Sequence, residues 1–270
     1  MAKTLNFTKM AGAGNDFILA DNRSGILKGS LGRFARRLCD RKRSVGADGL
    51  ILVERSKKAD VRMRILNSDG SEAEMCGNGI RCLAKFAADK GITGKRLSVE
   101  TLAGTILAEV RGKVVKARMV DPKGLRVNFK IAVGGRKESL SFVNTGVPHA
   151  VKLIPSVESC PVKPLGRSIR THRHFAPRGT NVDFIAVRSS NAIDIRTYER
   201  GVEDETLACG TGSVAGALIA SRLKGLRSPV SVHTRGGDVL KIYFSKNGSS
   251  FSDVYLEGQV ETNFEGRVKL

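Results

Sequence analysis

Several stretches of the chain alternate apolar and polar residues with a period of two, the mark of half-buried strands. They are Val61–Leu66, Leu97–Thr101, Thr105–Val110, Val114–Met119, Val182–Val187, Ile193–Tyr198, Val230–Thr234 and Val239–Phe244. Two other stretches change the period. Ile80, Leu83, Ala84 and Ala87 form a helical stripe with Phe86 beside it, and Val214–Leu223 is apolar nearly all round. Each run closes on a Lys followed by a Gly, at Lys90-Gly91 and Lys224-Gly225, a helix stop signal. A helix apolar on most sides is central and buried. Strands flanking such a helix predict an α/β architecture in which a curved sheet surrounds one helix.

The two halves follow one plan. Residues 61–91 and 193–225 each present a strand-like segment, then Gly-x-Glu-x-Glu (Gly70–Glu74, Gly201–Glu205), then Cys-Gly-x-Gly (Cys76–Gly79, Cys209–Gly212), then the apolar helix. Chance is a poor explanation for that many ordered matches. Two copies at so long a period exclude a solenoid and predict two homologous domains, 1–120 and 121–259. The boundary falls in the turn-rich Asp121-Pro122-Lys123-Gly124.

Each repeated cysteine stands just before a predicted helix, where unpaired N–H groups and the positive dipole end favour a thiolate and bind a carboxylate. The neighbouring glycines let backbone amides approach a ligand. Inverting a carbon next to a carboxylate needs such a pair. One group removes the α-proton from one face, another supplies a proton to the opposite face, and fixed amide donors stabilise the intermediate's charge. Cys76 and Cys209 are therefore the candidate acid and base, swapping roles with reaction direction. Cys39, Cys82 and Cys160 lack the motif and read as small buried hydrophobes. A disulfide between Cys76 and Cys209 would mark an oxidised, inactive form.

Composition narrows the alternatives. The opening residues, Met1-Ala-Lys-Thr-Leu-Asn, lack the apolar core of a secretory signal, and no apolar run is long enough to span a membrane. A cytosolic protein with reduced cysteines is expected. The formal net charge is +20, and Lys28 to Arg43 carries seven basic residues against Asp40. Without an RNA- or DNA-binding signature, and with three Tyr and no Trp to stack on bases, this reads as a solvated cationic surface rather than a nucleic-acid site. His172-x-His174 has no partner pair for zinc. Ala11-Gly-Ala-Gly-Asn-Asp lacks the third glycine of a dinucleotide fingerprint. No signal for pyridoxal phosphate or a metal is present, so no cofactor is expected.

At these residues the sequence resembles the diaminopimelate epimerase family, almost end to end. The likeness rests on an ordered set: Lys9-Met-Ala-Gly-Ala-Gly-Asn-Asp-Phe17, Gly46-Ala-Asp-Gly49, Asn67-Ser-Asp-Gly-Ser71, Cys76-Gly-Asn-Gly79, Gly146-Val-Pro-His149, Arg178-Gly-Thr-Asn181, Tyr198-Glu-Arg-Gly201 and Cys209-Gly-Thr-Gly212. The resemblance implies two pseudo-symmetric α/β domains with the active site in the cleft between them, and a C-terminal segment, 260–270, returning to the first domain. It implies conversion of LL-diaminopimelate to the meso form without metal or coenzyme, for lysine and peptidoglycan synthesis, and it admits a homodimer. Cys76 and Cys209 match the family's catalytic thiols. Gly77, Asn78, Gly210 and Thr211 match amides that hold the reacting carboxylate and amino group. Asn15, Asn67, Asn181 and Arg200 match residues that hold the remote amino-acid end, Arg200 suiting a carboxylate. His149 and Glu199 match groups that assist the thiols or the substrate amine. Two positions depart: many members have Asn at Val147 and Gln at Gly49. Relatives with the same thiols act on other amino acids, so a related two-cysteine racemase or epimerase is the alternative.

Overall fold

The computed structural model describes residues 4–27, 29–73 and 75–269; Glu74 and Lys28, singled out above, and Leu270 lie outside them. The chain divides into two compact units, one of residues up to Ala117 plus Gly258 onward, the other Arg118–Glu257.

In the first unit, β1 (Thr4–Gly12) and β2 (Asn15–Asp21) form a hairpin. Helix α1 (Leu31–Cys39) then carries the chain to β3 (Gly49–Glu54), parallel to β2. Antiparallel β4 (Val61–Asn67) and the short β5 (Glu72–Ala73) lead into α2 (Gly77–Asp89), which crosses to β6 (Arg96–Thr101), parallel to β4. β7 (Gly104–Arg111) and β8 (Val114–Arg118) complete the meander. The two helices explain the unbroken apolar run Leu50–Val53. Ile51 and Val53 face the α2 side with Met63, Ile80 and Leu83, while Leu50 and Leu52 pack with Ala35 and Leu38 of α1. A strand covered on both faces loses its alternation.

The second unit repeats this order with β9 (Lys123–Val133), β10 (Arg136–Asn144), β11 (Pro148–Leu153), α3 (Val162–Arg170), β12 (Asn181–Ser189), β13 (Ala192–Glu199), β14 (Asp204–Thr206), α4 (Gly210–Lys224), β15 (Val230–His233), β16 (Val239–Asn247) and β17 (Ser250–Gln259). Its parallel pairs, β11 with β12 and β13 with β15, fall where β2–β3 and β4–β6 fall in the first unit. Residues Gly212 to Ser221 of α4 are all buried, against β10 to β13, β15 and β16. The last strand, β18 (Glu261–Lys269), pairs with β1 as β9 pairs with β10. Each unit is thus a mostly antiparallel sheet around one central helix, as the hydrophobic pattern predicts.

Registering the units strand by strand equates Phe17 with His149, Gly49 with Asn181, Ile51 with Asp183, Ile65 with Thr197 and Cys76 with Cys209. One bidentate ion pair repeats with them. Arg64 meets Glu72 at 3.0 and 3.1 Å, and Arg196 meets Glu205 at 2.6 and 2.7 Å. This corrects the residue matching drawn from Gly-x-Glu-x-Glu: Glu72, not Glu74, is the counterpart of Glu205. Spacing is the reason, because Gly201 stands two residues further from its cysteine than Gly70 does.

Candidate active site

Both repeated cysteines are helix N-caps with extended backbone, φ −137° at Cys76 and −120° at Cys209. At Cys76 the amide at the third helical position points back at the sulfur, Gly79 N donating to Sγ at 3.5 Å. Cys209 makes no such cap, and its Sγ lies 3.5 Å from Thr211 Oγ1 instead. One otherwise orphaned N–H of α2 is thereby used on its thiol, and the first-turn amides of Gly77, Asn78, Gly210 and Thr211 lie beside the two cysteines.

The first unit brings Asn15 and Asn78 together. Asn78 Nδ2 donates to Asn15 Oδ1 at 2.8 Å and to Ala13 O at 3.2 Å. Arg81, fully buried, holds Gly77 O at 3.0 Å and Asn78 Oδ1 at 2.9 Å, so its guanidinium braces the turn that carries Cys76. Asn15 Nδ2 continues to Asp48 Oδ2 at 3.0 Å, and Arg41 bridges Asp48 and Asp16. Asn67 stands apart from this network. It is exposed at the end of β4, with its side chain on Ser71 Oγ at 3.0 Å. A side chain at Gly49 would meet Leu66 O at 2.9 Å, so this backbone accepts no Gln there without a shift.

The second unit gathers the rest. His149 is fully buried, with Nδ1 2.7 Å from Asp183 Oδ2 and Nε2 3.0 Å from Thr211 Oγ1, which lies 3.5 Å from Cys209 Sγ. Asn181 Nδ2 also approaches Nε2 at 3.4 Å, and Asn181 Oδ1 accepts from Arg200 N at 2.8 Å. Glu199 is half-buried, takes the Thr206 hydroxyl at 2.6 Å and acts electrostatically on Cys209. Burial, and then the charges of Glu199 and Asp183, push the Cys209 thiol well above its ordinary range. Burial likewise raises the Glu199 carboxyl, with Thr206 and His149 opposing it. Cys39 and Cys82 are buried in apolar surroundings, which raise their thiols to about 11 and about 12. Asn144, which stands near Val147, spends its Oδ1 on Gly146 N at 3.0 Å.

Asp183 was absent from the sequence reading, although its signal was there. A lone carboxylate in the apolar run Val182–Val187 must find a buried partner. Its second oxygen takes the Thr197 hydroxyl at 2.8 Å, and a Cβ on Gly212 would overlap Asp183 Oδ1. Gly212 is therefore glycine because the carboxylate occupies the space a side chain would fill.

Known proteins agree with this architecture. The family model for diaminopimelate epimerase matches residues 7–123 and 141–262. A diaminopimelate epimerase of Aquifex aeolicus is 45% identical over 98% of both chains, and one of Archaeoglobus fulgidus is 45% identical over 98% of this chain and 96% of its own. Among solved structures, a phenazine biosynthesis protein of the PhzF family from Bacillus anthracis superposes with a TM-score of 0.78 at 17% identity, covering 99% and 100% of the two chains. A hydroxyproline epimerase from Agrobacterium vitis gives 0.71 at 15%, covering 100% and 94%. Those two likenesses concern the fold alone. By sequence, over nearly its whole length, the chain belongs to the diaminopimelate epimerase family.

Proposed function

We propose that this protein interconverts LL- and meso-diaminopimelate by two-base proton transfer at one α-carbon, without a cofactor. The observation that carries the reading is the repeated cysteine: in each unit one heads the central helix as its N-cap, with extended backbone. One thiol takes the α-proton and the other delivers one, Cys76 and Cys209 being assigned these tasks. The first-turn amides of Gly77, Asn78, Gly210 and Thr211 hold the reacting carboxylate and amino group, donors being most valuable where charge develops. Asn15, Asn67, Asn181 and Arg200 hold the remote amino-acid end. His149 and Glu199 assist, Glu199 exchanging a proton with the Cys209 sulfur on which its charge acts. Membership of the family supports a place in lysine and peptidoglycan synthesis. Among the described residues no helix is long and apolar enough to cross a membrane; the cytoplasm is the proposed location and a homodimer the proposed assembly.

The test is incubation with LL-diaminopimelate in heavy water under reducing conditions. Meso product should appear with deuterium at the inverted carbon only, and little deuterium should enter recovered substrate. Cys76→Ala and Cys209→Ala should each lose at least about a hundredfold in kcat, the scale of a positioned proton donor. Absence of both meso product and exchange would sink the reading. Val147 favours a second reading, a different amino-acid substrate, because Asn144 is committed to its own turn. Faster turnover of an amino acid lacking the remote end would select it.

A further inference from the structure

The two thiols are equivalent in sequence but not in surroundings. The positions that hold His149, Asp183, Thr197 and Asn181 around Cys209 hold Phe17, Ile51, Ile65 and Gly49 in the other unit. The His-Asp-Thr chain therefore belongs to the Cys209 side, its matching positions in the other unit being apolar or glycine. Its hydrogen bonds have a direction. Asp183 Oδ2 accepts at 2.7 Å from His149 Nδ1, which places the ring proton on Nδ1 and the lone pair on Nε2. Two donors meet that lone pair, the Thr211 hydroxyl at 3.0 Å and Asn181 Nδ2 at 3.4 Å. Arg200 N fixes the amide's orientation by holding Asn181 Oδ1. With its hydrogen given to His149, Thr211 Oγ1 offers the Cys209 sulfur an acceptor. Glu199 and Asp183 both act on that sulfur through their charge.

We propose that Asp183 is a positioning residue for the epimerisation: by fixing the His149 tautomer it turns Thr211 into an acceptor for Cys209, so that this thiol carries its proton until substrate arrives. When the thiol has given its proton to the substrate carbon, the Thr211 hydroxyl turns from Nε2 to the thiolate and donates to it, the Nδ1–H staying on Asp183. This hydrogen-bond relay moves no proton of its own: Cys209 regains one from an α-carbon when the reaction runs in reverse, or from solvent water as Cys76 releases the one it took. This rests on the reading of Cys209 as one of the two reacting thiols.

The experiment uses full-length protein without substrate. Nitrogen-15 NMR of the histidine rings at pH 7 should show His149 protonated at Nδ1 and bare at Nε2. Alkylation by iodoacetamide, followed peptide by peptide across pH, should give Cys209 a higher inflection than Cys76. Asp183→Asn should move the ring proton to Nε2, lower the Cys209 inflection, leave that of Cys76 in place, and cut kcat at least about a hundredfold with KM within about threefold. Should that variant not fold, Thr211→Val cuts the chain with Asp183 intact, and should lower kcat while the wild-type tautomer persists. A wild-type His149 protonated at Nε2, or a Cys209 inflection below that of Cys76, overturns the proposal even if the protein epimerises diaminopimelate. The expected tautomer and alkylation order without any deuterium uptake would instead remove the substrate reading and leave the relay standing.

Discussion

Asp16 shows how one side chain can tie the Cys76 end of a unit to its framework. Burial by itself would raise its carboxyl, but hydrogen bonds from Arg41 and Lys9 outweigh that and hold it well below the usual carboxylate range. Lys9 is itself buried and donates to Asp16 at 2.7 Å and to Gly46 O. From Asp16 the network runs through Arg41 and Asp48 to Asn15 and Asn78 beside Cys76. A carboxyl with a depressed folded value contributes stability above its unfolded value, about pH 4, and that contribution is lost as pH falls toward the folded value. Asp16→Asn is therefore expected to cost about 2–3 kcal/mol at pH 7, since it leaves Lys9 buried beside a neutral group. Urea unfolding at pH 7 and pH 3 checks this: the gap between wild type and variant should shrink at the lower pH. A gap that is constant or widens would exclude the assigned sign.

The central helices were legible in the sequence because their apolar surface is nearly complete and their ends carry ordinary signals. Gly225 follows α4 with φ +74°, the left-handed cap its position after Lys224 predicts. The outer helices were hidden. In α1 Ala35, Leu38 and Cys39 are buried with Leu31 and Phe34 packed beside them, but Arg33, Arg36 and Arg37 dominate the reading, so a charge run concealed a two-turn amphipathic helix. Strands β1, β2, β9 and β10 also escaped notice, with bulges or two-sided cover blurring the period. The two ends of α4 separate stability from catalysis. A Cβ at Gly225 meets nothing within 4 Å, so Gly225→Ala carries only the left-handed backbone cost, about 1 kcal/mol, with kcat unchanged. A Cβ at Gly212 overlaps Asp183 Oδ1 and stands 3.2 Å from Cys209 Cβ, so Gly212→Ala should push the carboxylate off His149 and lower kcat about a hundredfold. Denaturant midpoints and kcat measured on both variants check the separation. Equal kcat in the two would show that the carboxylate's place does not matter.

Across the whole molecule, the repeat was visible in motif order, yet the way the chain shares it between units was not, because β9 and β18 are exposed edge strands with little alternation. In the second unit, β9 and β10 are consecutive, joined by Gly134-Gly135 with φ +56° and +78°, and Val133 faces Arg136 across the turn. In the first unit the same pair is β18 and β1, the two ends of the chain, with Lys269 opposite Thr4. The strand lies flat on the sheet: a Cβ on Gly266 would stand 2.7 Å from the Phe7 ring. Each unit is thus the same hairpin-first fold, with the hairpin cut in one copy. It follows that a circular permutant beginning at Pro122, running to Lys269, through a short Asn-Gly link to Thr4 and ending at Asp121, makes the first unit continuous in sequence and moves only Arg118–Asp121 of the second to the other end. It should fold with a melting temperature within about 10 °C of the parent and keep epimerase activity, because adjacent ends tolerate joining and the new break falls in the link between β8 and β9, outside both strands. Removing 261–270 instead strips the edge from β1 and uncovers Phe7, and should leave aggregated protein. Thermal melts and size-exclusion profiles of the two chains decide the matter. A permutant that aggregates like the truncation would mean that β18 needs a free end to pair, and that the equivalence of the two hairpins is one of shape rather than of folding.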